Sequence, residues 1–168
     1  QPDWVWIKKR NGAADSSLMD VSRGVRKSIV SNSSTTEYTE SSGFSSFDSD
    51  GFSFDGNGFN HVNTNSDSFV AWCWKAGGTG SSNSDGATAS TVSVNTTAGF
   101  SIVTWTGTGS GTTIGHGLGV KPKIIFVKNR STAKNWVVNV GEIVGADERS
   151  MYLNANDALK SDAAADGG

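Results

Sequence analysis

One short motif constrains this chain more than any other feature. Pro2-Asp3-Trp4-Val5-Trp6-Ile7-Lys8-Lys9-Arg10-Asn11 recurs without a gap, 120 residues on, as Pro122-Lys123-Ile124-Ile125-Phe126-Val127-Lys128-Asn129-Arg130-Ser131. In an extended chain successive side chains point to opposite faces, so residues 4 and 6 share one face and 5 and 7 the other. A strand that is bulky and apolar on both faces needs cover on both, which places it inside a layered sheet. The recurrence reads as an internal duplication of such a strand. On that reading residues 1–120 form one β-sandwich repeat unit. Residues 121–168 are either the start of a second repeat or the final strands of the same sandwich. The second copy holds no counterpart of Phe69 to Lys75, which implies that the sequence stops inside a longer protein.

The rest of the chain has the same texture. Gly (21 residues), Ser, Thr and Asn are abundant, and Val, Ile, Thr, Phe and Trp dominate the apolar positions. That is the composition of short strands joined by polar turns, not of helices. Alternation predicts strands at Trp4 to Lys8, Arg26 to Ser31, Phe52 to Phe54, Thr88 to Thr96, Gly99 to Thr106, Lys123 to Lys128, Trp136 to Val140 and Ser150 to Asn154. Ser16 to Val21 reads as a strand or one helical turn. Ser31 to Ser42 and Gly77 to Gly86 read as loops, and Asn57-Gly58 as a tight turn. The strongest strand signal is Ser68-Phe69-Val70-Ala71-Trp72-Cys73-Trp74-Lys75, apolar on both faces and expected at the centre of a sheet. The fold expected is all-β, an antiparallel β-sandwich of jelly-roll or lectin-like type. Trp4, Trp6, Trp72, Trp74, Phe100, Ile102, Ile125 and Val127 are expected in its core.

Charge and cysteine content exclude several functions. The net charge of −2 gives no basic footprint to offset phosphates, so nucleic acid is not expected as a partner. Lys8, Lys9, Arg10, Arg23, Arg26 and Lys27 make the N-terminal segment locally basic, as solvated strand ends and loops do. The single cysteine, Cys73, rules out an intrachain disulfide; between two tryptophans it is expected as a small buried filler. No apolar run is long enough to span a membrane, and no secretory signal opens the chain.

Candidate chemistry is sparse. Asp48-Ser49-Asp50-Gly51 has the alternate carboxylates and glycine that open a calcium loop, with Asp55 as a further ligand candidate. Phe52, Ser53 and Phe59 stand where the helix-loop-helix version needs an oxygen ligand, a glycine and a glutamate, so that version fails and an Asp/Gly turn is the simpler reading. The glycines at 107, 109 and 111 lack the helix and Lys-Ser/Thr of a phosphate loop and read as turns. His61 and His116 sit in polar Gly/Asn surroundings without a metal-ligand partner at useful spacing. Asp48, Asp50 and Asp55 beside aromatics leave a glycoside hydrolase as the enzyme to test, but nothing singles out an acid. No catalytic residue, cofactor or metal is assigned.

Taken together, Pro2-x-x-Val5-Trp6-Ile7-Lys8-x-Arg10, Ser46-Phe47-Asp48-Ser49-Asp50-Gly51-Phe52, Phe69 to Gly78 and Gly115-His116-Gly117-Leu118-Gly119-Val120-x-Pro122 resemble a repeat family of marine tailed-phage virion proteins, including those of cyanophages. The resemblance covers nearly the whole chain. It implies a non-enzymatic component of the virion surface, in a tail fibre or in a capsid-surface fibre or decoration, that forms homo-oligomers and contacts other virion proteins and host-surface glycan. The alternatives it leaves are a purely structural filament, capsid or tail-tube subunit and a glycan-cleaving depolymerase.

Overall fold

A computed structural model describes residues 1–58, 62–140, 149–158 and 160–161. Among these residues the regular structure is all β, arranged as a sandwich-like stack of antiparallel sheets. The first half supplies β1 (Trp4–Lys9), β2 (Ser16–Asp20), β3 (Lys27–Val30), β4 (Tyr38–Thr39), β5 (Phe44–Asp48), β6 (Gly51–Phe54) and β7 (Phe69–Trp74). The second supplies β8 (Ser81–Asn83), β9 (Ser90–Asn95), β10 (Phe100–Trp105), β11 (Ile125–Val127), β12 (Val137–Asn139), β13 (Arg149–Tyr152) and β14 (Lys160–Ser161). Ser16 to Val21, open between strand and helical turn in the sequence, is a strand because it pairs with β1 from Trp4↔Asp20 to Lys8↔Ser16. The two stretches expected as loops each contain a short strand, β4 and β8, held by pairing and not by any apolar alternation of their own.

The central sheet has the order β4-β3-β2-β1-β7. Its first four strands form a meander, and β7 returns from a distance to lie against β1. The two faces of β1 enter two different cores, as its alternation requires. Val5 and Ile7 join Met19, Phe44 and Val62, with Phe47, Phe52, Phe54 and Phe69 packed around them. Trp4 and Trp6 pack on the opposite face against Leu18, Ile29, Trp136 and Leu153. The hairpin β5-β6 therefore covers one face, while β12, β13 and β10 reach the other. The hairpin is fixed at its base by a close backbone approach. Gly43 has φ +118°, and a Cβ there would stand 2.5 Å from the Gly58 Cα, so no side chain fits.

Two smaller sheets complete the stack, β10-β9-β8 and β11-β12-β13-β14. The second repeats the central sheet in detail. The β1/β2 register Val5↔Met19, Trp6↔Leu18 and Ile7↔Ser17 returns in β11/β12 as Ile125↔Asn139, Phe126↔Val138 and Val127↔Val137, every number raised by 120. Lys8 Nζ donates to the Ala14 carbonyl at 2.5 Å, and Lys128 Nζ to the Lys134 carbonyl at 2.9 Å. Asn32 accepts the Ser16 N–H at 2.8 Å and donates to Asp15 at 2.7 Å; Asn154 accepts the Trp136 N–H at 2.8 Å and donates to Asn135 at 2.9 Å. The offset grows by two between β12 and β13, as two extra residues in that connection produce.

The two sheets are joined by polar and apolar contacts together. Trp136 is buried, and its indole N–H donates to the Val30 carbonyl at 2.8 Å. Arg130 grips Glu37 with two hydrogen bonds of 2.9 Å each, and the Glu37 N–H donates to the Arg130 carbonyl. Burial pushes the Glu37 carboxyl up, but the Arg130 hydrogen bonds and the Arg23 and Arg130 charges outweigh it and hold it below the usual range.

Candidate functional site

The feature that departs furthest from an ordinary sandwich is the edge formed by β7. Its pairing with β1 puts Trp4 opposite Trp74 and Trp6 opposite Trp72. Directly opposed residues share a face, so four tryptophans line one side of these two strands. Ring centroids lie 4.5 Å apart for Trp4 and Trp74 and 5.7 Å apart for Trp6 and Trp72. Phe100 of β10 closes the stripe at 5.6 Å from Trp4 and 6.2 Å from Trp74. These separations are those at which aromatic pairs attract.

Burial falls steeply along this stripe. Trp4 and Trp6 are half-buried, whereas Trp72 is 45% and Trp74 37% exposed. The expected central position of this strand is corrected: β7 ends its sheet, and among the described residues no second strand pairs with it. Alternation reveals that both faces are apolar but not how many neighbours the strand has. Cys73 is likewise exposed and not a buried filler; partial burial pushes its thiol above the ordinary value, which disfavours a reactive thiolate.

A second apolar edge lies on β11. Ile125, expected in the core, is 44% exposed, with Ile124 and Phe126 beside it equally open. Phe100, Ile102 and Val127 are half-buried. The remaining surface feature is an open polar depression lined by Ser82, Ser90, Thr91, Thr104, Trp105 and Arg130. Trp105, at the end of β10, is exposed there.

The three candidate calcium ligands are not brought together. Asp48 ends β5 and Asp50 lies in the β5-β6 turn, and both Asp48 oxygens accept hydroxyls, from Ser46 at 2.7 Å and Ser53 at 2.6 Å. Those bonds hold its carboxyl below the usual range. Asp55 is committed elsewhere, bound by both terminal nitrogens of Arg26 and by the Gly43 N–H. The Arg26 hydrogen bond, helped by Gly43, lowers its pKa to about 2. Among the described residues no three His, Cys, Asp or Glu side chains lie close enough to hold a metal ion.

His116 is half-buried, its Nδ1 accepting the Leu118 N–H at 3.2 Å, so it closes a turn. His61 lies outside the described residues. Five of the six basic N-terminal groups are engaged internally: Lys8 with the Ala14 carbonyl, Lys9 with Asp67, Arg23 with Asp20, Arg26 with Asp55 and Lys27 with the Thr39 hydroxyl. Arg23 is buried and not solvated. Sequence reasoning missed it, although Asp20 three residues earlier was the available signal. It also missed Glu37, which sits in a Ser/Thr-rich stretch that reads as plain loop.

A family model described as a domain of unknown function, DUF7483, matches residues 1–167. The chain belongs to the DUF7483 family. Comparison of this DUF7483 domain with curated proteins and with solved structures finds no match. No described helix is long and apolar enough to cross a membrane.

Proposed function

We propose that this DUF7483 domain is a non-enzymatic module of a virion surface, built into a tail fibre or into a capsid-surface fibre or decoration. On this reading it works by docking with other copies and other virion proteins. The observation that carries the reading is β7, a six-residue apolar strand with half-exposed Trp72 and Trp74 at a sheet edge that no strand pairs among the described residues. Soluble proteins blunt such edges with charge, proline or bulges; where one is left apolar, another surface covers it. The resemblance of the strand motifs to tailed-phage virion repeats supplies the setting. Immunoelectron microscopy with antibody to this chain tests the reading, with label expected on the fibres or surface of intact phage particles. Particles that stay unlabelled when the antibody recognises the purified chain would overturn it.

Host attachment through glycan is a second part of the proposal. It is favoured by the depression lined by Ser82, Thr91, Thr104 and Arg130, at which the exposed Trp105 stands. An exposed ring stacks on a sugar face while neighbouring hydroxyls bond to its own, the division of labour common in ligand sites. Saturable binding to host-envelope polysaccharide, weakened at least tenfold by Trp105→Ala, with no new reducing ends released, is the expected result. New reducing ends would favour the depolymerase instead.

A further inference from the structure

The two apolar edges bear a relation that neither shows alone. β1 has β2 on one side and β7 on the other, while β11 has β12 on one side and no described strand on the other. Because β11/β12 repeats the β1/β2 register, the open side of β11 is the side on which β1 carries β7. The side chains match as well: Ile125 and Val127 stand for Val5 and Ile7, and Ile124 and Phe126 for Trp4 and Trp6. The hydrogen bonds of Lys128 and Asn154 repeat those of Lys8 and Asn32, so the equivalence extends beyond β11 itself.

We infer that the open edge of β11 is a strand-acceptor site, and that its occupant is β7 of a second copy of this chain. β7 offers a second open apolar edge: it gives one edge to β1 through all six of its residues, and its half-exposed Trp72 and Trp74 match the half-exposed Ile124, Ile125 and Phe126 of β11. Its far side is free among the described residues, so it can add to β11 of another copy without leaving its own sheet. Exposed side chains of both edges, Trp72 and Trp74 with Ile124, Ile125 and Phe126, are then buried together. Joining unlike edges is a head-to-tail contact, which extends into a filament unless the rotation closes a ring. This deepens the assembly reading above and rests on it.

The single natural cysteine makes the pairing measurable. β7 meets β11 through the edge opposite to the one it gives β1, so on antiparallel pairing Cys73, which shares a face with Val5 in its own sheet, comes to lie on the face of Ile124 and Phe126. Opposed residues in antiparallel strands have Cα separations of about 4.5–5.5 Å, within the range a disulfide spans. In a series Ile124→Cys, Ile125→Cys, Phe126→Cys and Val127→Cys, each retaining Cys73, mild oxidation with diamide is expected to link chains into dimers, trimers and longer ladders at Ile124 and Phe126 only. The unmodified chain, with one thiol, stops at dimers. The introduced sites at 124 to 126 are exposed, and far-UV circular dichroism checks that each variant is folded. Ladders absent from all four variants, or formed equally at all four, would overturn the inference, as would Cys73–Cys73 dimers being the sole product throughout. Labelled phage particles together with absent ladders would overturn the strand pairing alone; ladders with unlabelled particles would sink the virion setting and leave the pairing standing.

Discussion

β1 and β11 carry the same pattern and meet their first partner in the same register, yet one is covered on both faces and the other is half open. The difference lies in what surrounds them. β1 has the β5-β6 hairpin over Val5 and Ile7, the β12-β13 region over Trp4 and Trp6, and β7 along its second edge. β11 has β12 alone. Two-sided alternation thus encodes a strand able to sit at the centre of a stack, and distant segments decide whether it does. β7 makes the same point from the other direction, because its pattern is as apolar as that of β1 and its place is at the rim.

Substitutions at equivalent positions can break this comparison. Ile7→Ala, in the closed core, is expected to lower stability by about 2–5 kcal/mol, whereas Ile125→Ala at the open edge should cost about 1 kcal/mol or less. Urea denaturation of both variants checks this, and equal losses would mean that β11 is as enclosed as β1. Next in size is the bolt between the two sheets: Trp136→Phe leaves the buried Val30 carbonyl without its donor and is expected to cost about 1–3 kcal/mol. The repeated asparagine bridges offer a matched pair. Asn32→Ala and Asn154→Ala should each cost about 0.5–1.5 kcal/mol, and if the two sheets are equivalent the two losses should agree within error.

The smallest expected effect concerns pH. The folded pKa of Asp55 is lowered to about 2, below the unfolded value of about 3.9. Its pairing with Arg26 therefore adds stability that is present above pH 4 and is lost as pH falls through about 2. Because the pair is exposed, the change is small, and Asp55→Asn should flatten the denaturation midpoint between pH 4 and 2 while leaving the slope from Glu37 in place. An unchanged profile in that variant would remove Asp55 from the account.

Much of the strand content was legible because alternation is a local property: β3, β7, β9, β10, β11 and β12 fall within expected segments, and β1, β6 and β13 overrun theirs by one residue. Sheet order was not, because it depends on pairing between residues far apart, and so Trp72, Trp74 and Ile125 were expected inside when they stand at edges. Phe44, which is buried at the centre of one core, gave a weaker signal because its strand alternates poorly and is irregular between Phe44 and Ser46. The candidate calcium ligands show the limit for polar groups. The spacing of Asp48, Asp50 and Asp55 suggested a loop, but the partner that claims Asp55 is Arg26, 29 residues away. The duplicated motif was visible in the sequence; that one copy has an edge partner and the other does not became visible only once β7 was placed.

Residue-resolved amide hydrogen exchange tests the comparison of the two sheets most directly. At low concentration, where the chain is monomeric, β1 amides should be protected at every position, since strands flank both its edges. β11 should show alternating protection, slow at amides bonded to β12 and fast at those facing outward, with the fast set slowing as concentration rises. Uniform protection along β11 in the monomer, or outward amides that stay fast at every concentration, would contradict the account.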